Sequence, residues 1–387
     1  MMFTRIHRRL TAVVGAVLLS ASVGACGSVG GGGSEAATTG PPGAGVAAVQ
    51  GNYDRWLAGT SVEPPVADSP KAAPGKRIWV ISCGQSNASC ARGTQGAQDA
   101  AAAIGWQATV FDTKGNLSTA GDGIRQAIAA RADGIFMYFI DCSYAQQPLI
   151  EAKAAGIPVV QAEGIDCELA DPKSPSLFTH SVSYQEGPLL TWLHDFGASL
   201  AALLVTATNG RGNIVFIADN AAIGTRSVIK GYQSEAAKCP ECASEVVEYS
   251  FDQLTAGVSQ QVQQKLLQNP EADAVGVAYD GILQSGVSVA VMQSVRGGRP
   301  LTLAAGEGSA PTMDLVRKGT IVGGSGLDNE WEGWSGIDNL NRIFQGAPTA
   351  GSGIGIQLYT KGHNVPASGP YVASVDYRSA YRKAWGR

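Results

Sequence analysis

The chain has 387 residues, 44% of them hydrophobic and only 16% charged, with a formal net charge of −4 at pH 7. That length and apolar content suffice for two domains with real cores. The charge balance excludes a partner such as nucleic acid or an anionic surface that would be held by a basic face.

Taken in chain order, the first signal concerns export. Arg5, His7, Arg8 and Arg9 form a basic start, Leu10 to Val23 is a short apolar run, and Val23-Gly24-Ala25-Cys26 closes it. A charged start, an apolar middle and a small-residue end make a secretory signal, and this one resembles a bacterial lipoprotein signal. The expectation is a signal peptide over residues 1–25 and a lipid on Cys26, which holds the protein at the extracytoplasmic face of the cell membrane. Arg8-Arg9 leaves twin-arginine export open beside the general secretory route.

From Gly27 to about Gly45 the chain is mostly Gly, Ser, Ala, Thr and Pro, a composition that cannot repay its ordering entropy. Residues 47–75, with Tyr53 and Trp56 ahead of EPPVADSPKAAPGK, read as a short docked arm and a linker. Residues 26–75 are thus expected as a lipid-anchored tether with an arm. The apolar run 189–205 carries His194 and Asp195. It is expected as a buried helix rather than a membrane span.

From residue 77 strand-like and helix-like segments alternate. Predicted strands are Arg77–Ser82, Ala108–Asp112, Gly134–Ile140, Val159–Glu163, Asn213–Ala218, Glu245–Ser250, Ala274–Tyr279, Leu301–Ala305 and Ile321–Gly323. Predicted helices cover 92–104, 119–131, 145–155, 184–206, 224–238, 255–268, 281–296, 309–318 and 329–345. Apolar strands joined by such helices indicate parallel sheets covered on both faces, and a long helix at mid-chain divides the pattern into two doubly wound α/β lobes. Ligands of open parallel sheets sit beyond the C-terminal strand ends. The residues there are Gln85, Ser86 and Asn87; Asp141 to Ser143; Glu163, Asp166 and Cys167; and, in the second half, Asp219-Asn220, Phe251-Asp252, Tyr279-Asp280 and Glu307.

These pieces, in their order, resemble a known family. RIWVIS, GAQDAAAAIGWQATVFD, RADGIFMY, AKAAGIPVV, IKGYQSEA and ADAVGVAYDGILQSGVSVA are similar to segments of type I periplasmic-binding-protein-like solute receptors of the ribose/galactose branch. The resemblance covers about residues 76 to 365. It implies two lobes joined by three hinge segments, near His180–Tyr184, Gly324–Asp328 and Gly351–Ile356. It also implies a cleft that closes on a sugar or polyol and delivery to an ABC permease and its ATPase. Lobe 1 is expected over 76–181 with 328–352, and lobe 2 over 182–327 with 353–387. The receptor is expected to be a monomer without cofactor, metal or enzymatic activity. Related repressors carry an N-terminal DNA-binding segment, which a lipoprotein signal excludes.

Three departures bear on the ligand. The branch often has Asp-Arg after the fourth strand, where this chain has Glu163-Gly164. It often has Asn-Asp after the seventh, here Tyr279-Asp280, and Phe-Asp-Gly after the eighth, here Gly306-Glu307-Gly308. Arg226 is the candidate for the missing cation. The candidate ligand set is Gln85, Ser86, Asn87, Asp141, Glu163, Arg226, Phe251, Tyr279, Asp280, Glu307 and Trp331. Stacking on a sugar face would use one or two of the aromatics, although Trp334 fits the core of helix 329–345 equally well.

Other chemistries are weaker. The chain lacks G-x-x-x-x-G-K-S/T. Gly84-Gln85-Ser86-Asn87-Ala88 approaches a nucleophile elbow but follows the first strand of its sheet, and His180 and His194 fall at a hinge and inside a helix. A glycosidase pair among Glu163, Asp280 and Glu307 remains an alternative, as does a solute sensor that signals to a membrane kinase. Of seven cysteines, six remain after Cys26, an even set that suggests disulfides in an exported protein. Their places give three local bridges, Cys83–Cys90, Cys142–Cys167 and Cys239–Cys242. A zinc or redox role for Cys239-Pro-Glu-Cys242 lacks partner ligands and a helix start, respectively.

Overall fold

The computed structural model describes residues 42–220, 222–249, 257–296 and 301–387. Cys26, the signal-like run and Phe251 lie outside them. The described chain opens with α1 (Ala44–Ala58) and then builds the first sheet from β1 (Arg77–Ser82), β2 (Gln107–Asp112), β3 (Gly134–Tyr138), β4 (Val159–Ala162) and β5 (His180–Ser181). Its order is β2-β1-β3-β4-β5, parallel throughout. Crossovers are made by α2 (Ala88–Ile104), α3 (Ala120–Ala129), α4 (Gln146–Ala154) and the short α5 (Cys167–Ala170). Helices on both faces leave β3 and β4 wholly buried, which is why their sequences are unbroken apolar runs.

The long α6 (Leu189–Ala207) leads into the second lobe. There β6 (Asn213–Asp219), α7 (Ile223–Ala236), β7 (Ala243–Tyr249), α8 (Val258–Gln268) and β8 (Ala274–Val277) follow in turn. After β8, α9 (Asp280–Ile282) passes through an irregular turn, with Gly286 at φ 93°, into α10 (Ser288–Arg296). Then come β9 (Thr302–Ala305), α11 (Ala310–Arg317), β10 (Gly323–Gly326), α12 (Asn329–Phe344), β11 (Gln357–Thr360) and α13 (Tyr377–Trp385). The second sheet has the order β11-β10-β9-β8-β6-β7, with β11 antiparallel to β10. α6 is apolar and long enough to cross a membrane, yet 72% of its most apolar window is buried in the protein.

β10 reads GGSG and carries no apolar side chain. It is a strand because neighbouring backbone comes too close for anything larger: a Cβ on Gly324 would lie 1.5 Å from the Ala305 carbonyl oxygen. The expected strand at Ile321–Gly323 is therefore shifted towards the hinge.

Two boundary expectations are corrected. Residues 377–385 do not belong to the second lobe. Tyr377, Tyr381 and Trp385 are buried, with Trp385 stacked 5.5 Å from Trp334 and Tyr377 4.7 Å from Trp331, both on α12. The i, i+4, i+8 aromatic stripe of α13 covers α12 in the first lobe. The N-terminal arm and linker are also more than that. α1 packs on α6 in the second lobe. Residues 59–73 then form a strap: Thr60 N–H donates to Ile356 O at 3.0 Å and Val62 N–H to Gly353 O at 2.9 Å. Its far end reaches the first lobe, where Ala73 N–H donates to Asn341 Oδ1 at 2.9 Å and the Trp106 indole donates to Ala73 O at 2.7 Å.

The strap lies over a hinge. Ser352 N–H donates to Ser183 O at 2.9 Å and Gln185 N–H to Ile354 O at 2.8 Å, so two of the expected crossings are bonded to each other. The third runs from β10 through Leu327 and Asp328 into α12. Buried Arg342 fixes the strap's first-lobe end: its Nε meets Asp338 Oδ2 at 2.7 Å, and Nη2 reaches Pro65 O and Asp68 Oδ1, each at 2.9 Å.

Candidate ligand-binding cleft

β1 runs out into Cys83, and the loop to α2 is closed by the Cys83–Cys90 disulfide. Asn87 caps α2, its Oδ1 accepting from Ser89 N–H at 2.9 Å and Cys90 N–H at 3.2 Å, which satisfies donors orphaned at a helix start. Bridge and cap together turn Asn87 and Ser89 towards the second lobe. Cys142–Cys167 ties the ends of β3 and β4 in the same way, and Cys239–Cys242 closes the turn after α7.

Beyond the strand ends lie two adjoining cavities that share part of their walls. Phe139, Glu163, Asp219 and Tyr279 border both. Asn87, Ser89, Tyr138, Tyr249 and Glu307 add to the first, and Asp141, Tyr144, Ile165 and Thr225 to the second. Both lobes contribute to each. Phe139, Glu163 and Glu307 have φ of 53°, 56° and 58°, a left-handed conformation uncommon away from glycine and concentrated at ligand sites. Each directly or nearly follows its strand, and the sharp turn aims the side chain across the cleft.

Electrostatically the cleft is acidic and crowded. Burial, then repulsion by Glu332 and Glu307, drives the Glu163 carboxyl well above its usual range. Burial and the neighbouring Asp280 push Glu307 up to about 7, against stabilising bonds from Asp280 N–H and the Ser89 hydroxyl. Burial raises Asp141 as well, opposed by Ile165 N–H, which donates to its Oδ1 at 2.8 Å. Behind this wall Glu332 is fully buried, accepting from Tyr138 Oη at 2.6 Å and Tyr184 Oη at 2.5 Å. Burial outweighs those two bonds and lifts Glu332 to about 8. Desolvation disfavours the charged form, and like charges add to the shift.

The expected site residues divide. Asn87, Asp141, Glu163, Tyr279 and Glu307 line the cleft. Gln85 and Ser86 do not: both are exposed, and Gln85 folds back so that its Nε2 donates to Ser82 Oγ at 2.6 Å. Asp280 is fully buried below the wall, where its Oδ2 accepts from Ser309 N–H at the start of α11. It is a brace rather than a contact. Trp331 belongs to the first-lobe core, stacked on Tyr377. Arg226 is exposed on α7, donates to Asn220 O at 3.0 Å, and its charge favours ionised Asp141. Missed by sequence reasoning were Ser89, Tyr138, Phe139 and Tyr249. Tyr249 ends β7 as Asp219 ends β6, so strand-end position was the signal available for it.

With this geometry in view, the sequence matches the family model described as the periplasmic binding protein domain over residues 78–348. The chain belongs to this family. α1, the strap, β11 and α13 lie outside the matched part of this periplasmic binding protein. No curated protein matches the chain in sequence.

Similar solved structures include an ABC transporter periplasmic solute binding protein from Actinobacillus succinogenes with bound D-allose. The two share 16% identity over 75% of this chain and 98% of that one, with a TM-score of 0.64. A solute binding protein from Agrobacterium vitis bound with α-D-tagatopyranose shares 23% identity over 74% and 95%, at 0.63. One from Mycobacterium smegmatis with bound glycerol shares 19% over 77% and 100%, at 0.62. At these identities the likeness is one of fold: two α/β lobes around a cleft.

Proposed function

We propose that this periplasmic binding protein is the extracytoplasmic receptor of an ABC importer and captures a small polar solute of the sugar or polyol class between its lobes. The observation that carries the reading is the pair of adjoining cavities walled by polar side chains of both lobes. A solute held there touches Asn87, Asp141 and Glu163 on one side and Asp219, Tyr279 and Glu307 on the other. Only contacts made to both lobes favour the closed form over the open one. The protein acts without cofactor or catalysis, as a monomer that hands its cargo to a membrane permease and its ATPase. The D-allose, tagatopyranose and glycerol bound by the similar structures support the solute class.

Calorimetry with a panel of hexoses, pentoses and polyols tests this. Glu163→Ala and Glu307→Ala should each weaken the best binder by about tenfold or more, since a carboxylate acceptor to a hydroxyl is lost. Unchanged affinity in both variants would move the site elsewhere. Hydrolysis of a glycoside, abolished in the same variants, would favour an enzyme.

The proposal extends to anchorage. Val23-Gly24-Ala25-Cys26 ahead of a glycine-rich tether supports lipid attachment at Cys26, and two or more acyl chains give stable membrane binding. Cys26→Ser should release the protein or leave an uncleaved precursor on an anti-tag blot of membrane fractions. A variant processed and retained like the parent contradicts anchorage.

A further inference from the structure

Beside the three hinge crossings, two further segments run from the second lobe to the first, and both lie outside residues 78–348. The strap leaves α1, and a tail over residues 361–376 leaves β11 for α13. The two are tied to each other at both ends. On the second lobe Gln357 of β11 joins them, its Nε2 donating to Ala58 O at 3.2 Å and its Oε1 accepting from Tyr371 Oη at 2.8 Å. Asn364 adds a bond from its Nδ2 to Leu57 O at 2.7 Å. On the first lobe Asp338 of α12 accepts from the strap's Ser69 hydroxyl and, at 2.7 Å, from the Trp385 indole.

Neither segment has slack. Val62 N–H is bonded to Gly353 O, and Pro65 O to Arg342 Nη2; Glu63 and Pro64 alone separate these anchors. An extended residue spans at most about 3.3–3.6 Å, and the prolines at 64 and 65 hold φ fixed. In the tail one residue faces both lobes. Tyr371 N–H donates to Gly308 O in the second lobe at 2.7 Å, and its carbonyl accepts from Arg92 Nη2 on α2 in the first at 3.1 Å. Just beyond, Ala373 N–H donates to Asp328 Oδ2 at 3.1 Å.

Lobes that part rotate about a few crossing residues. Here such a rotation must break these bonds or pull on spans that have almost nothing to give. The arrangement they hold is one in which the lobes touch: a Cβ on Gly281 would lie 3.0 Å from Asn87 Nδ2 across the cleft, and the Ser89 hydroxyl bonds Glu307.

We propose that strap and tail form a belt that keeps the lobes in this closed arrangement in the free protein, so that opening for solute exchange requires the belt to let go. The device acts on the lobes themselves, so its test needs no solute and does not depend on which solute the cleft takes.

Pulsed double electron–electron resonance on the full chain, dialysed exhaustively to strip solute, measures the spacing of the lobes. Nitroxides are attached through azide-bearing residues at Ala129 and Gln233, and in a second sample at Ala102 and Lys318, which leaves every cysteine untouched. All four positions are exposed, one of each pair in either lobe. The parent should give one narrow distance distribution for each pair. Inserting Gly-Ser-Gly-Ser between Glu63 and Pro64, or between Val372 and Ala373, keeps every anchor and lengthens one segment. In at least one pair these insertions should shift most of the population to a longer distance, with near-UV circular dichroism as in the parent. A parent distribution as broad as theirs overturns the belt, and so do insertion variants as narrow as the parent. Gln357→Ala unties the two segments without changing their length, and serves where an insertion disturbs the fold. It should broaden the distribution towards longer distances, and a distribution identical to the parent's overturns the belt there as well.

Discussion

Replacing Glu332 by glutamine separates the charge of a buried carboxyl from its shape. Glu332 is 0% exposed, and its two oxygens face the hydroxyls of Tyr138 and Tyr184. Burial lifts its pKa from 4.5 to about 8. Below the lower value, folded and unfolded chains both hold the proton. Between the two values only the folded chain does, so the folded state binds more protons and loses stability as pH rises, until both states are ionised above about 8. The full span corresponds to about 5 kcal/mol, an upper figure because neighbouring carboxyls share the burden.

Glutamine is already neutral. Its carbonyl can accept from Tyr138, whose oxygen already accepts from Asn329 Nδ2 at 3.0 Å, and its amide can donate to the Tyr184 hydroxyl. Glu332→Gln should therefore match the parent within about 1 kcal/mol near pH 5 and exceed it by several kcal/mol at pH 9. Urea unfolding followed by tryptophan fluorescence at pH 5, 7 and 9 measures this. Parallel stability–pH curves for the two proteins would refute the argument. Glu332→Ala is the contrast: it orphans two tyrosine hydroxyls, costing about 2–6 kcal/mol before any cavity is counted.

Three further outcomes follow from other residues. Tyr279→Phe removes a hydroxyl that has no partner, so thermal stability should hold or rise slightly while solute affinity falls by about tenfold; a clear loss of stability would show a bond the geometry lacks. Arg342→Ala leaves Asp338 buried opposite an empty space and frees the strap, and loss of one member of such a pair costs about 3–5 kcal/mol, readable as a lower urea midpoint. Opening Cys142–Cys167, a loop of sequence separation 25, by double serine substitution should cost about 3–4 kcal/mol at most; solute affinity should fall with it if the bridge sets the cleft wall, and affinity equal to the parent would argue against that role.

The two-lobed plan was legible because parallel strands buried on both faces leave apolar runs such as GIFMY and NIVFIAD in the sequence. Segments whose order comes from distant partners were not. β10 offers only GGSG and is a strand by close approach to β9 and β11. α1 buries just Gly45, Val49 and Trp56, too sparse a stripe to announce a helix. α13 did carry a legible pattern, since Tyr377, Tyr381 and Trp385 repeat every four residues behind an Asp376 cap. In the cleft, position after a strand located five residues that line the cavities, but not where each side chain turns. Gln85 is diverted by a bond to Ser82, and Asp280 by the start of α11. Those are decisions of local hydrogen bonding that strand-end position does not encode.

The placement of α12 and α13 has a consequence for how the protein is made. The first sheet is complete once residue 181 has been synthesised, yet the helix lying on it spans Asn329–Phe344 and the aromatic cover over that helix spans Tyr377–Trp385. Until the last turn of chain emerges, Trp331 and Trp334 have nothing to stack on, and the strap's bond from Ala72 N–H to Trp385 O cannot form. Pairings so distant in sequence carry a large loop-closure cost and close slowly. The nascent chain is thus kept from finishing its first lobe while its own end is still to come. If the export proposed above runs by the general secretory route, that delay preserves an unfolded form until the aromatic cover over α12 has passed.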